Sequence, residues 1–277
     1  MRSLRKQPIG VFDSGVGGLT VLGELHKHLP HESIIYLADT ERLPYGDRSS
    51  EEITQFVREI LHWMESQGAK MVIMACNTSS ALALETVRKE FDFPVLGIIF
   101  PGALAAVQCG RRIGVISTQA TANSNAYFNA IKEIDKSVLV WQVGCPEFVP
   151  IVESNRIFEP QTREIVSKYL FPLLNNEIDT LIYGCTHYPH LEPVIREIIP
   201  QQINLIDPAK YLRTSAEKEL ELLGLSNLSR HSLGCTKFYA SGCPEAFEKA
   251  SRQWLGYLPR VEKVQLSPVS VALEHIE

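Results

Sequence analysis

No stretch of this 277-residue sequence is apolar for long enough to cross a bilayer as a helix, so a helical membrane protein is not expected. Positive charge is also short. The 27 Lys and Arg against 32 Asp and Glu leave a formal net charge of −5, which gives no field for gathering nucleic acid or anionic lipid. Cysteine is sparse: the six at positions 76, 109, 145, 185, 235 and 243 are too few for a disulfide scaffold and lack the C-x-x-C spacing of a zinc site. The nearest approach to a metal cluster, Cys185-x-His187-x-x-His190, has no evident fourth ligand. A zinc site is therefore not expected, and free thiols in a reducing compartment fit better. The basic start, residues 1–7, runs straight into an apolar segment without the apolar region or cleavage site of a signal peptide, so the expected location is cytoplasmic. What remains is the balance of an ordinary globular protein, 45% hydrophobic and 21% charged.

Short apolar runs alternate with amphipathic segments. Strands are predicted over 9–12, 33–38, 71–75, 95–99, 113–117, 138–143, 181–184 and 203–206, each continuous and apolar as in a parallel sheet covered on both faces. Ser49 and Glu52 form a capping-box pattern ahead of Ile53, Phe56, Val57, Ile60, Leu61 and Met64, with Gly68 as the stop. Leu19, Leu22, Leu25 and Leu29 mark a second helix, ended by Pro30. This alternation predicts an α/β fold.

Laid against itself, the chain repeats. Ile9-Gly-Val-Phe-Asp-Ser14 returns as Ile113-Gly-Val-Ile-Ser-Thr118, and Met74-Ala-Cys-Asn-Thr78 returns as Tyr183-Gly-Cys-Thr-His187, in the same order. Two related halves are therefore expected, each presenting one cysteine at the carboxyl end of a strand, where open α/β sheets bind ligands. A first crossover is expected at 94–101 and a return at Asp207-Pro208. Residues 1–97 plus 208–277 then form the half carrying Cys76, and residues 98–207 the half carrying Cys185. The further strand-like run Lys237-Phe-Tyr-Ala240 belongs to the first half.

Cys76 stands where a strand gives way to a helix start, beside Asn77, Thr78 and Ser79. Free N–H groups there would favour a thiolate or a bound carboxylate. A buried core cysteine followed by an N-cap cluster would give the same string. Cys185, among Gly184, Thr186, His187 and Pro189, sits in poor core material, and His187 is near enough to polarise its thiol. A Cys-His hydrolase would need only one of the two thiols and leaves Cys76 unexplained. Asp13-Ser14, opening a glycine-rich turn, could meet an ammonium group, although the turn matches neither the dinucleotide nor the P-loop pattern. The Tyr45 hydroxyl and Gly46 N–H could hold a carboxylate. Glu153 is an acid amid apolar residues, either at the surface or placed deliberately. Cys109, Cys145, Cys235 and Cys243 lack comparable polar neighbours and read as structural or incidental.

The strings Phe12-Asp-Ser-Gly-Val-Gly-Gly-Leu-Thr20, Pro44-Tyr-Gly46, Ala75-Cys-Asn-Thr78 and Gly184-Cys-Thr-His187 resemble the signature segments of bacterial glutamate racemases, in order and over nearly the whole chain. The resemblance implies two pseudo-symmetric α/β domains with mostly parallel sheets, an active site in the cleft between them, and usually a homodimer. It implies interconversion of L- and D-glutamate without cofactor or metal, supplying D-glutamate for peptidoglycan, with no membrane or nucleic-acid partner required. By position, Cys76 is similar to the thiol that takes the α-proton from D-glutamate and Cys185 to the one that acts on L-glutamate. Asp13-Ser14, Tyr45-Gly46, Asn77-Thr78 and Thr186-His187 are similar to the substrate-binding pairs, and Asp13, Glu153 and His187 to groups that assist proton transfer. The long N-terminal extension tied to activation in some relatives has no counterpart ahead of the first strand, so that activation is not expected. Residues 99–104, which vary in the family, are notably apolar here.

Two thiols suit such a reaction. Racemisation removes an α-proton from one face and returns one to the other, so a rigidly held substrate calls for one acid–base group per face, in opposite protonation states. The ordinary cysteine pKa of about 8.5 makes both states reachable. Two rival readings share the cleft: a racemase for aspartate or another amino acid, and an amino-acid binding protein that has lost catalysis.

Overall fold

The computed structural model describes residues 4–229 and 233–268, so the outermost parts of the expected first half lie outside the described residues. All strands pair in parallel, in two sheets. In chain order the strands are β1 (Ile9–Asp13), β2 (Ile34–Ala38), β3 (Met71–Met74), β4 (Val95–Gly97), β5 (Arg112–Ser117), β6 (Leu139–Gly144), β7 (Thr180–Gly184), β8 (Asn204–Ile206), β9 (Thr236–Ala240) and β10 (Val261–Lys263). The first sheet runs β10-β9-β2-β1-β3-β4 and the second β6-β5-β7-β8.

The repeat is visible in this topology. Both sheets contain one four-strand order, with β2-β1-β3-β4 matching β6-β5-β7-β8, so β1 corresponds to β5 and β3 to β7. In each unit the chain leaves the central strand to one side and returns on the other. The loops after the central strand and its returning neighbour therefore diverge and open a crevice. Cys76 follows β3 and Cys185 follows β7, equivalent places in the two units.

Helices cover both faces of each sheet because alternate strand residues point to opposite sides. Val11, Tyr36 and Ile73 join Leu22 and Leu25 of the helix Leu19–His28 in one core, while Phe12, Leu37 and Met74 join Val57, Leu61 and Met64 in another. The second sheet is likewise sandwiched, with Leu181 and Tyr183 on one side and Val115 and Ile182 on the other. The predicted capping box is present. The Ser49 hydroxyl accepts from Glu52 N at 3.2 Å and Glu52 Oε2 accepts from Ser49 N at 3.0 Å, starting the helix Ser50–Ser66. Gly68 ends the turn beyond it with φ of +72°, a conformation in which a Cβ would be strained.

One expectation is corrected, and one strand is new. The apolar run 95–99 is not one strand: β4 stops at Gly97, and Ile99 opens the helix Ile99–Cys109, because a continuous apolar stretch suits a buried helix as well as a strand. β10, three residues at the sheet edge with two of them exposed, has no apolar pattern and was not foreseen. After Asp207-Pro208 the chain packs back against the first sheet. Asp207 Oδ1 accepts from Ala209 N at 3.0 Å at the start of the helix Ala209–Leu222, whose Leu212, Ala216 and Leu220 join the core of the first sheet. β9 then pairs with β2.

Far from the crevice, Lys70 fixes this return. Its side chain is fully buried, and Nζ lies 2.5 Å from Glu32 Oε2, 2.8 Å from Arg5 O and 2.9 Å from Leu225 O. Among the described residues no helix is long and apolar enough to cross a membrane.

Candidate active site

The loops after β1, β2, β3, β5, β6 and β7 enclose a cavity of about 320 Å³ between the sheets. Every residue expected from the sequence lines it except Asp13. Cys76 and Cys185, each 6% exposed, are both on its wall.

Cys76 caps the helix Asn77–Val87. The free N–H groups of that helix start were expected to favour a thiolate. Burial, reinforced by the nearby Asp13 carboxyl, outweighs the opposing hydrogen bonds of Ser79, and the thiol is pushed up to about 12. Cys76 therefore stands protonated at neutral pH.

Cys185 has a different neighbour. Its Sγ lies 3.7 Å from His187 Nδ1, and His187 Nε2 lies 3.0 Å from Glu153 Oε1. Burial works against charge on this imidazole, but the hydrogen bonds to Cys185 and Glu153, with the charge of Asp13, more than offset it and raise His187 to about 10. Glu153, whose role the sequence left open, ends the helix Phe148–Glu153 and orients that cation.

Asp13 lies behind the wall, fully buried at the end of β1. Oδ1 accepts from Gly15 N at 3.0 Å, and Oδ2 accepts from the Thr186 hydroxyl at 3.2 Å across the crevice. Burial raises its pKa. The same loops approach so closely that a Cβ on Gly17 would sit 2.3 Å from Thr186 Oγ1 and 2.6 Å from His187 Nδ1, which only a glycine avoids.

The remaining polar groups are arranged unevenly. Asn77 Oδ1 accepts from the Tyr127 hydroxyl at 2.7 Å, leaving its buried Nδ2 without a protein partner at the cavity. A buried amide without an acceptor is costly unless a ligand supplies one. Thr78 Oγ1 joins Thr118 at 3.0 Å and Thr121 at 3.2 Å, a triangle of hydroxyls spanning the two halves. Tyr45 corrects the sequence reading: its hydroxyl donates to Asp39 Oδ2 and is not free for a substrate carboxylate.

Sequence reasoning missed Thr118 and Cys145 on the wall. Thr118 had a signal, since the internal repeat aligns it with Ser14. Cys145 had none; it is buried, with Sγ 3.6 Å from Val143 O. The Cys185-His187-His190 spacing does not assemble into a metal site. His190 packs on Trp254 with ring centroids 3.7 Å apart, and no group of three metal-ligating side chains occurs among the described residues.

A family model described as Asp/Glu/hydantoin racemase matches residues 20–216. The chain is 63% identical to the glutamate racemase of Gloeothece citriformis over 283 aligned positions, covering all of both proteins. Its fold matches the crystal structure of a glutamate racemase isoform from Bacillus anthracis with a TM-score of 0.90 and 38% identity, covering 96% of this chain and all of that one. It also matches the glutamate racemase of Francisella tularensis in complex with D-glutamate, with a TM-score of 0.88 and 33% identity over 95% of this chain and 98% of the other. With two strand-end thiols on one cavity, two parallel sheets of matching order and relatives alike from end to end, this chain belongs to the aspartate/glutamate racemase family.

Proposed function

We propose that the protein interconverts L- and D-glutamate without a cofactor, using Cys76 and Cys185 as the two acid–base groups. The observation that carries this reading is the placement of one thiol from each four-strand unit on the wall of a single cavity, in unlike electrostatic surroundings. Cys76 holds its proton, and the His187 cation stabilises negative charge at Cys185. A two-face proton transfer requires one donor and one acceptor, and these unlike surroundings suit the two thiols to opposite parts.

With L-glutamate bound, the Cys185 sulfur takes the α-proton and the Cys76 thiol delivers its own to the opposite face, giving D-glutamate. Cys185 then carries a proton and Cys76 a negative charge, and the reverse passage restores the first arrangement. The intermediate α-carbanion lies beside a carboxylate, so donors aimed at that carboxylate lower the barrier. The unpaired Asn77 Nδ2 and the Thr78 hydroxyl at the start of the helix Asn77–Val87 suit that role. Ser14 and the backbone of Tyr45 and Gly46 complete the wall of the first half, with Asp13 holding Thr186 from behind. Supply of D-glutamate for peptidoglycan, a cytoplasmic location and a homodimer complete the reading. The two functional halves divide as residues 1–97 plus 208–277 and residues 98–207.

Solvent exchange tests it. Purified protein in D2O without added cofactor should place deuterium at Cα of both glutamate enantiomers, and Cys76→Ser or Cys185→Ser should nearly abolish interconversion. Full racemisation in either variant would sink the two-thiol mechanism. A higher kcat/KM for aspartate would overturn the substrate, and glutamate binding without exchange would leave a binding protein.

A further inference from the structure

The loop of residues 42–47, between β2 and the helix Ser50–Ser66, forms one side of the cavity through Leu43, Pro44, Tyr45, Gly46 and Asp47. Its only hydroxyl-bearing side chain, Tyr45, donates its hydrogen bond to Asp39, and its ring rests against Phe56 with centroids 6.0 Å apart. Beside the Leu43 and Asp47 side chains, the loop can offer a ligand its backbone N–H groups, which serve only where the chain is held in place.

We infer that Asp39, which does not line the cavity, is the positioning residue for this loop and thereby sets how tightly glutamate binds. Asp39 is fully buried just beyond β2, and its N–H donates to Asp13 O at 2.9 Å, fixing it to the end of β1. Its Oδ2 accepts from the Tyr45 hydroxyl and lies 3.2 Å from Arg42 Nε, so both ends of the loop's first turn close on one oxygen. Its Oδ1 accepts from the Ser241 hydroxyl at 2.6 Å. Ser241 lies just beyond β9, more than 200 residues along the chain, and its N–H donates to Ala38 O at 3.0 Å. Arg42 continues outward to Glu59 at 2.9 Å and covers the Phe56 ring at 4.4 Å.

A buried carboxylate is tolerated only when its oxygens are satisfied, and this one is satisfied by the loop on one side and the C-terminal segment on the other. The loop has little freedom to drift. A Cβ on Gly46 would lie 3.3 Å from Thr118 Cβ of the opposite half, so loosening the Asp39 anchor changes the wall that meets the substrate across the crevice. Asp39 acts through Tyr45, without touching the reacting atoms.

The inference rests on the glutamate racemase reading, and the two fail differently. Wild-type protein that does not racemise glutamate removes the reading itself. With an active wild type, the test is steady-state kinetics in both directions for Asp39→Asn, Tyr45→Phe, the double variant and Ser241→Ala. Loss of one charge-assisted hydrogen bond is expected to raise KM about tenfold in each of the first two variants, with kcat within about twofold. The double variant should show less than the product of the two single rises, because both remove the Asp39–Tyr45 hydrogen bond while Asp39→Asn also weakens the contacts to Arg42 and Ser241. Ser241→Ala should move KM in the same direction by less. Effects that multiply in the double variant, a lowered kcat at unchanged KM, or a lowered melting temperature with normal KM overturn the inference. If Asp39→Asn does not fold, Tyr45→Phe and Ser241→Ala each delete a single hydroxyl and decide alone, unchanged KM in both being fatal.

Discussion

Cys185 Sγ and His187 Nδ1 lie 3.7 Å apart on the wall of the cavity, so the second-half thiol has a cation for a neighbour where the first-half thiol, Cys76, has the carboxyl of Asp13. The repeat produced equivalent positions for the two sulfurs and the flanking loops gave them opposite surroundings.

A pH profile should register that cation. His187 is raised from 6.5 to about 10, so its charge and the stability it contributes are complete below pH 6.5 and lost as pH climbs through about 10. The kcat/KM for glutamate should fall along an alkaline limb in that region. His187→Asn should lower kcat/KM by about a hundredfold and remove the limb. An unaltered limb in the variant would assign it to another group.

Glu153→Gln keeps a partner for His187 Nε2 and removes the negative charge. The alkaline limb should move down by about one pH unit with the fold intact by circular dichroism. A limb that stays in place would show that Glu153 does not support the imidazolium.

His190 behaves oppositely. Burial, helped by the charge of His187, depresses it to about 4 from 6.5, and it packs on Trp254 as a neutral ring. Its contribution to stability is complete above pH 6.5 and lost as pH falls through about 4, amounting to at most about 3 kcal/mol. Urea unfolding at pH 7 and pH 4.5 should show this loss. His190→Asn should flatten the difference, and an equally steep loss in the variant would refute the assignment.

Gly17→Ala should damage the site more than the backbone, because the added Cβ meets the Thr186 hydroxyl and the His187 ring while the residue has no positive φ to strain. A cost of about 1–3 kcal/mol in stability and at least about a hundredfold in kcat/KM is expected. Wild-type kinetics would mean the loops have room to part.

Lys70 offers a control remote from the chemistry. Lys70→Ala leaves Glu32 buried and unpaired, costing about 3–5 kcal/mol by urea titration, whereas exchanging both residues for apolar ones of similar size should restore most of it. Per folded molecule, kcat and KM should not change. Equal losses in the single and double variants would mean that packing, and not the unpaired charge, sets the cost.

Much of this was legible in the sequence because strands of a covered parallel sheet are apolar on both faces and read as short continuous runs, as 9–12, 113–117 and 181–184 do. The cysteine pair was legible through the repeat, which placed Cys185 where Cys76 had been. Contacts made by folding were not. Asp39, Tyr45 and Ser241 meet across some 200 residues with no local pattern to announce it. The Tyr45 hydroxyl was free to be read as a ligand group until its partner was visible. Glu153 looked like any acid near a turn, because its role depends on His187, 34 residues away. Residues 95–99 misled for a simpler reason: one apolar run served the end of a strand and the start of a helix.

The unlike neighbours of the two sulfurs have a kinetic consequence. Mirror-image amino acids have equal free energy in water, so the equilibrium constant between them is unity and kcat/KM must be the same in both directions. No placement of His187 or Asp13 can make the enzyme prefer one hand when substrate is scarce. The imbalance between Cys76 and Cys185 emerges only at saturation, where kcat and KM for one enantiomer rise or fall together relative to those for the other.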